Sequence, residues 1–235
     1  MSESFFGPEL GTFGTPEMQL PPELLEPIRR HLETMREQCL NMGWAQRCGF
    51  GERPALLVID LALFWTQPGT QMGSHVDSIV EATCRLLEAA RQADCPIFFS
   101  SFDYDPAARP GIKPGKSIMP PDLDPGLFEL DPRLARRPSE KLLRKSYASC
   151  FHGTNLRQML DSLGVDTLIV TGVSTSHCVY ASCRDAISSY RVIVPREAVG
   201  ERCQILHMVN LLDIDIDVGD VMPTEDVITY LGKKG

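Results

Sequence analysis

Three residues of types that together support nucleophilic hydrolysis follow predicted strands at distant points of the chain. Asp60 directly follows the apolar run ALLVI, Lys145 ends the short segment 140–145, and Cys178 lies a few residues after TLIVTG. The carboxyl ends of parallel strands meet at one edge of a sheet, and ligands bind just outside it. The spacing therefore predicts that an acid, an amine and a thiol lie together at one site.

Such a set can hydrolyse an amide. A thiol attacks a carbonyl carbon only as the thiolate, which a helix N-terminus and a nearby ammonium group both favour. A carboxylate can take the thiol proton and later pass it to a leaving amine. We therefore predict Cys178 as the nucleophile, Asp60 as the general base and then acid, and Lys145 as the electrostatic partner. The turn 172–177 before the cysteine supplies backbone N–H groups, as an oxyanion hole requires.

Each of the three residues also has an ordinary structural interpretation. An aspartate after a strand can be a capping or turn residue, a lone lysine can be a solvated charge, and a lone cysteine can be a small apolar core residue. The convergence of the three types on one mechanism favours the catalytic interpretation.

The elements that must position these side chains alternate between short apolar runs and amphipathic segments. Strands are predicted at 55–59, 96–100, 140–145, 167–171, 191–195 and 220–222, and helices at 22–42, 76–93, 154–163, 178–189, 203–213 and 225–231. Strands alternating with helices indicate a three-layer α/β/α fold with a mostly parallel sheet. The proline- and glycine-rich stretch 103–138 is long for a loop in a compact domain, and such loops usually carry function.

Composition excludes several other classes of protein. With 43% hydrophobic and 23% charged residues, the chain has the apolar content of a globular protein rather than a disordered one. Its net charge of −8 argues against nucleic acid as the main partner, because such binders need a basic excess. No apolar run approaches the ~18 residues of a membrane span. The acidic, proline-containing N-terminus is unlike a signal peptide, so we expect a cytoplasmic protein whose eight cysteines stay reduced.

The sequence resembles the isochorismatase-like cysteine hydrolases, and most of all their branch with N-carbamoylsarcosine amidase and maleamate amidase. The resemblance rests on GFGERPALLVID (49–60), KSYASCFHGT (145–154), TGVSTSHCVYAS (171–182) and the pair REAVGERC and NLLDID (196–203 and 210–215). It covers about 49–231. We therefore expect a hydrolase domain at 49–235, preceded by an arm and helix at 1–48 that form an oligomer contact or a cover for the core.

The resemblance implies further features. It implies a roughly six-stranded parallel sheet, an Asp–Lys–Cys triad at Asp60, Lys145 and Cys178, and a cis peptide bond between Val173 and Ser174. That bond would turn the N–H of Ser174 towards the same point as the N–H of Cys178, so that the two form the oxyanion hole. Relatives are commonly dimers or tetramers, which implies a homo-oligomer.

Departures from the family pattern narrow the activity. Nicotinamidases carry an Asp-x-His metal site after the second strand, whereas this chain has FDYDPAARP with Asp103 and Asp105 but no histidine. We therefore expect neither a metal nor another cofactor. The isochorismatases proper, which act on a vinyl ether, lack the nucleophilic cysteine, so Cys178 indicates amide hydrolysis.

The substrate-binding candidates are less constrained. Arg202, in the segment that reads VGDR in relatives, could hold a substrate carboxylate by a bidentate contact, or could be a surface arginine paired with an acid. Phe64 and Trp65 could form an apolar wall or belong to the core. Thr175 and His177 precede the nucleophile, and His177 could narrow the pocket or face away from it.

We therefore predict an amidohydrolase that cleaves a small linear amide or N-carbamoyl compound through a thioester on Cys178, releasing ammonia, and carbon dioxide from carbamoyl substrates. Two alternatives remain: a non-amide hydrolase of the isochorismatase type on the same fold, and a catalytically silent binding protein.

Overall fold

The computed structural model describes residues 4–7, 12–103 and 123–234. Seven strands are present in this part of the chain: β1 (Pro54–Ile59), β2 (Ile97–Phe102), β3 (Lys141–Lys145), β4 (Thr167–Val173), β5 (Arg191–Pro195), β6 (Val199–Gly200) and β7 (Asp220–Met222). The α-helices are α1 (Pro22–Asn41), α2 (Leu63–Thr66), α3 (Asp77–Gln92), α4 (Leu156–Ser162), α5 (Tyr180–Ala186), α6 (Gln204–Asp213) and α7 (Thr224–Gly232). Each long element falls within a few residues of its predicted position. None of the described helices is long and apolar enough to cross a membrane.

The strands form one parallel sheet in the order β3-β2-β1-β4-β5-β7, with β6 beside β4. Every residue of β1, β2 and β4 is buried, as their continuous apolar runs require when helices cover both faces. The α/β/α fold class is confirmed. One strand more than expected is present, because the two residues of β6 pair with Gly172 and Val173 at the end of β4.

The order of the strands reverses between β1 and β4. From β1 the chain continues to β2 and β3 on one side, and from β4 it continues to β5 and β7 on the other. At such a switch point the connections leave in opposite directions and open a crevice at the carboxyl ends of the strands. The crevice therefore lies between the residues that follow Ile59 and those that follow Val173.

The helix predicted at 178–189 is preceded by a turn of a different helical type. Residues Thr175–Val179 form a π-helical turn, in which Val179 N–H donates to the carbonyl of Ser174 at 3.2 Å, and α5 starts only at Tyr180. Cys178 therefore lies inside this turn rather than at the N-terminus of a regular helix.

The arm before the sheet packs on the chain's own core. Phe6 and Phe13 are buried, and in α1 the side chain of Leu32 is buried where that helix meets α6. The N–H of Phe13 also donates to the carbonyl of Glu201 at 3.0 Å. The described part of the arm therefore lies over the segment that joins β6 to α6.

Candidate active site

Asp60, Lys145 and Cys178 meet at the switch point of the sheet. Asp60 directly follows β1, Lys145 is the last residue of β3, and Cys178 lies in the π-helical turn that follows β4. Their exposed fractions are 1%, 1% and 7%. Three strands thus bring an acid, an amine and a thiol into one buried cluster.

Lys145 stands between the other two side chains. Its Nζ lies 2.7 Å from Oδ2 of Asp60 and 3.4 Å from Sγ of Cys178. The ammonium group also donates to the carbonyl of Tyr147 at 3.1 Å and lies 3.9 Å from the centre of the Phe102 ring. The charge of Asp60 also acts on the thiol of Cys178, so all three groups interact.

The lysine of this cluster is charged. Burial alone would lower the pKa of Lys145, but the adjacent Asp60 carboxylate raises it above its ordinary value. A charged ammonium group in a water-poor site remains available to stabilise negative charge during a reaction.

The resting thiol is neutral. Burial raises the pKa of Cys178 well above its ordinary value, and the negative Asp60 raises it further, while Lys145 acts in the opposite direction. The ammonium group favours the thiolate, as the sequence predicts, but desolvation and the carboxylate outweigh it in the resting site. For the sulfur to attack a carbonyl carbon, the thiol proton would therefore have to pass to a base such as Asp60.

Asp60 is held in an unusual backbone conformation. Its φ of 52° lies in the left-handed region, which aspartate tolerates better than most residues. Its N–H donates to the carbonyl of Ser100 at 3.1 Å, and the Ser100 hydroxyl donates to its Oδ1 at 2.7 Å. Ser100 therefore binds both the backbone and the side chain of the acid, a contact that the sequence analysis missed because Ser100 lies within an apolar strand.

The turn that carries the nucleophile starts from two special backbone positions. Gly172 has a φ of 108°, and a Cβ there would lie 2.0 Å from the carbonyl oxygen of Ile59, so only glycine allows β4 to approach β1 this closely. The peptide bond between Val173 and Ser174 is cis, at the position implied by the resemblance.

Glu201, which directly follows β6, connects this turn to its own segment through hydrogen bonds. Its buried carboxylate accepts from Ser176 N at 3.1 Å, Ser176 Oγ at 2.6 Å and Arg202 N at 2.8 Å. Burial opposes ionisation, but His177 and these donors lower the pKa of Glu201 to about 2. Glu201 lies in the segment REAVGERC, but nothing in the sequence pattern indicates this role.

The two candidates beside the nucleophile have other contacts. His177 is 67% exposed, and its Nδ1 lies 3.7 Å from Oε2 of Glu201, which raises the pKa of the imidazole. The hydroxyl of Thr175 is buried and lies 3.0 Å from Nδ1 of His207. His177 is therefore held by Glu201 at the surface, and Thr175 by a core histidine.

Arg202 has the surroundings of an anion-binding residue. Its guanidinium group lies between the rings of Phe13, at 5.3 Å, and Trp65, at 5.1 Å. Its Nη2 and the Nε1 of Trp65 are both buried with no hydrogen-bond partner in the described chain. Arg202 forms no ion pair with any described residue, which favours anion binding over the alternative of a surface arginine paired with an acid. Burial lowers the pKa of this group, although Glu201 opposes the shift.

The two adjacent aromatic candidates have different surroundings. Phe64 is fully buried and packs against Trp65 and Phe128, with ring centres 4.9 and 5.8 Å apart. It is therefore a core residue, and of the pair only Trp65 reaches Arg202. Asp105, half of the acidic pair considered for a metal, lies outside the described residues.

Comparison with known proteins places the chain among hydrolases. The isochorismatase domain model matches residues 54–226. The chain is 36% identical to N-carbamoylsarcosine amidase from an Arthrobacter species, covering 94% of this chain and 86% of that protein. It is 38% identical to maleamate amidohydrolase from Pseudomonas putida, covering 80% of this chain and 91% of that protein.

A solved structure agrees with this assignment. An isochorismatase family protein from Burkholderia thailandensis superposes with a TM-score of 0.69 at 26% identity, over 79% of this chain and 99% of that one. The chain belongs to the isochorismatase family.

Proposed function

Because the chain belongs to the isochorismatase family and resembles two amidases over most of its length, we propose that it hydrolyses a small linear amide or N-carbamoyl compound through a thioester on Cys178. The enzyme is an amidohydrolase, acting on C–N bonds other than peptide bonds. The observation that carries the mechanism is the buried contact of Asp60, Lys145 and Cys178, with Lys145 Nζ 2.7 Å from the carboxylate and 3.4 Å from the sulfur.

Acylation starts from the neutral thiol. As Sγ of Cys178 bonds to the carbonyl carbon, the thiol proton passes to Asp60, whose carboxylate and the sulfur both contact Lys145. The carbonyl π electrons move to oxygen, and the resulting oxyanion accepts from the N–H groups of Ser174 and Cys178. Lys145 stabilises the negative charge on sulfur and oxygen. When the C–N bond breaks, its electron pair takes the proton from Asp60, and ammonia leaves.

Deacylation repeats these steps with water. Asp60 takes a proton from a water molecule, the water oxygen bonds to the thioester carbon, and the C–S bond breaks. The proton then returns from Asp60 to the sulfur, which restores the thiol. With an N-carbamoyl substrate the released product is a carbamic acid, which loses carbon dioxide to give the amine.

Arg202 supports a substrate that carries a carboxylate. Its stacked guanidinium group and the unpartnered Nη2 and Trp65 Nε1 offer buried donors that an anionic oxygen would satisfy. Carbamoyl-amino acids and maleamate-like monoamides combine such a carboxylate with a terminal amide. Phe64, Thr175 and His177 remain lesser candidates, since Phe64 packs in the core and the other two are held by His207 and Glu201.

We also retain the prediction of a homodimer or homotetramer. Exposed apolar side chains on α6, at Ile205, Leu206 and Val209, support it. Light scattering of the purified chain tests it, and a monomer at micromolar concentration would rule it out.

The test of the activity is ammonia release from N-carbamoylsarcosine, other carbamoyl-amino acids, maleamate, biuret and nicotinamide. We expect release from at least one carboxylate-bearing compound, its abolition in Cys178→Ala, and little change in Cys183→Ala. Cys183 is a matched control, because its thiol is also buried but lies on α5 outside the triad. Undiminished turnover by Cys178→Ala would refute the mechanism. Vinyl-ether cleavage without ammonia would favour the non-amide alternative.

A further inference from the structure

Two buried hydroxyl groups, on β2 and α5, contact residues of the triad, one at a side chain and the other at the backbone. Ser100 and Ser182 are both fully buried, and neither belongs to the triad. Ser100 Oγ donates to Oδ1 of Asp60 at 2.7 Å, while Lys145 contacts the other carboxylate oxygen. The carboxylate is thus held at both oxygens, and rotation about its Cβ–Cγ bond would break both contacts.

Ser182 holds the nucleophile in a corresponding way. Its hydroxyl donates to the carbonyl of Cys178 at 2.7 Å and accepts from the N–H of Cys150 at 3.0 Å. Cys150 lies five residues after Lys145, in the loop between β3 and α4. One hydroxyl therefore joins the segment that follows the lysine to the turn that carries the sulfur.

A second thiol, that of Cys150, lies close to the cluster. The side chain of Cys150 is fully buried, and burial raises its pKa, although Lys145 opposes the shift, so Cys150 is a neutral thiol. Its backbone N–H is the group that binds the hydroxyl of Ser182.

We propose that Ser100 and Ser182 are positioning residues for the hydrolysis: Ser100 orients and stabilises the ionised Asp60, and Ser182 fixes the backbone of Cys178. The proposal rests on the proposed function. The two serines act on different species, one on a charged carboxylate and the other on a neutral carbonyl. Their loss therefore has different kinetic signatures, which a general loss of packing would not produce.

The experiment compares Ser100→Ala and Ser182→Ala with Ser101→Ala. Ser101 is the matched control, because its hydroxyl is equally buried on β2 but donates to the carbonyl of Phe128 at 2.5 Å, away from the triad. Steady-state hydrolysis of an active amide is measured across the pH range, with thermal unfolding to establish that each variant is folded.

For Ser100→Ala we expect kcat/KM to fall roughly 10- to 100-fold. The acid limb of its pH profile should move up by about one unit, because the ionised carboxylate has lost a donor. Lys145, Cys178 and Cys150 also face Asp60, and all three are unchanged in this variant. For Ser182→Ala we expect kcat to fall about 10-fold with KM within about 2-fold, and an unmoved acid limb.

Ser100→Thr restores the hydroxyl and should return the acid limb to its wild-type position. An unmoved limb in Ser100→Ala, with kinetics like those of Ser101→Ala, would overturn the role of Ser100. If Ser100→Ala does not fold, Ser100→Cys, with a similar volume and a weaker donor, must show part of the same shift. A wild-type profile for that variant would also overturn the role. A kcat for Ser182→Ala within 2-fold of the wild type would overturn the role of Ser182.

Alkylation of Cys178 by iodoacetamide separates this proposal from the amidase itself. It needs proton removal from the same thiol but no amide substrate. If the panel shows no hydrolysis yet Ser100→Ala shifts the pH dependence of alkylation, the role of Ser100 stands and the amidase proposal falls. If hydrolysis depends on Cys178 while Ser100→Ala leaves both pH profiles unmoved, the amidase stands and the role of Ser100 falls.

Discussion

Replacing Lys145 by methionine removes the charge at the centre of the cluster while keeping an unbranched side chain of similar length. Lys145 Nζ and Asp60 Oδ2 are 2.7 Å apart and buried. Two unit charges at that distance attract by about 6 kcal/mol at an effective dielectric constant of roughly 20. Desolvation of both groups offsets part of this attraction, and removing one partner of a buried pair typically costs about 3–5 kcal/mol. We expect Lys145→Met to lose that much free energy of unfolding near neutral pH.

The deficit should depend on pH in a defined direction. The pKa of Lys145 is raised above 10.5 by Asp60, against the effect of burial, so the contribution of the ammonium group is complete below about pH 10.5 and is lost only as the pH rises through the folded value. Between about pH 8 and pH 5 the lysine therefore does not titrate. In the variant, however, the unpaired carboxyl can be relieved by binding a proton, which costs less free energy as the pH falls. The difference from wild type should shrink towards pH 5.

The assay is urea unfolding of wild type and Lys145→Met at several pH values, with Arg144→Met as the control. Arg144 is the preceding residue of β3, and its guanidinium group pairs with the exposed Glu129 at 2.7 Å, so its loss should cost less than about 1 kcal/mol at any of these pH values. The activity of Lys145→Met should fall roughly 100-fold or more. A deficit no larger than that of Arg144→Met, or one that does not change with pH, would refute the buried ion pair as the central contact of the site.

Three further predictions concern residues around the site. Arg202→Lys should raise KM about 10-fold for a carboxylate-bearing amide and leave a neutral amide unchanged in parallel kinetic assays; equal effects on both would contradict carboxylate binding. Glu201→Gln should lower kcat/KM roughly 10-fold at every pH above about 5, because the carboxylate that binds Ser176 has its pKa near 2 and is ionised throughout this range. A loss of kcat/KM seen only on the acidic or only on the basic side of the pH–rate profile would contradict this role of Glu201. Burial lowers the pKa of His207 to about 4, so its neutral form stabilises the fold fully above pH 6.5 and this contribution, about 3 kcal/mol at most, is lost as the pH falls towards 4. His207→Leu should flatten that part of the curve of unfolding free energy against pH, and an unchanged slope would show that another group causes the acid sensitivity.

Much of the architecture could be predicted because it depends on runs of like residues. The run ALLVI is apolar at every position and lies in β1, and TLIVT, with threonine only at its two ends, lies in β4. The proximity of Asp60 and Cys178 follows from topology, since residues that follow neighbouring parallel strands must lie close together. Lys145 ends a less apolar predicted strand. It was selected because its ammonium group fits the same mechanism as the carboxylate of Asp60 and the thiol of Cys178.

What sequence could not supply was the environment of each group. Phe64 and Trp65 are adjacent aromatic residues on α2, yet one packs wholly in the core and the other reaches Arg202. Ser100 looks like any small residue in a buried strand until its hydroxyl is placed 2.7 Å from Asp60. The charge state of Cys178 depends on the balance between burial, Asp60 and Lys145, and only distances and exposure decide that balance.

The burial of the thiol accounts for the composition of the whole triad. A cysteine with a raised pKa cannot rely on a standing thiolate, so a base must lie in contact with the sulfur. In a buried site that base is a carboxylate whose charge needs a partner, and Lys145 supplies the partner from β3 at 2.7 Å. As the proton moves from sulfur to Asp60, the negative charge moves from the carboxylate towards the substrate, and the same ammonium group remains within reach of both. A single buried cation can therefore neutralise the site before and during the reaction, which explains why the acid, the amine and the thiol occur together at the switch point.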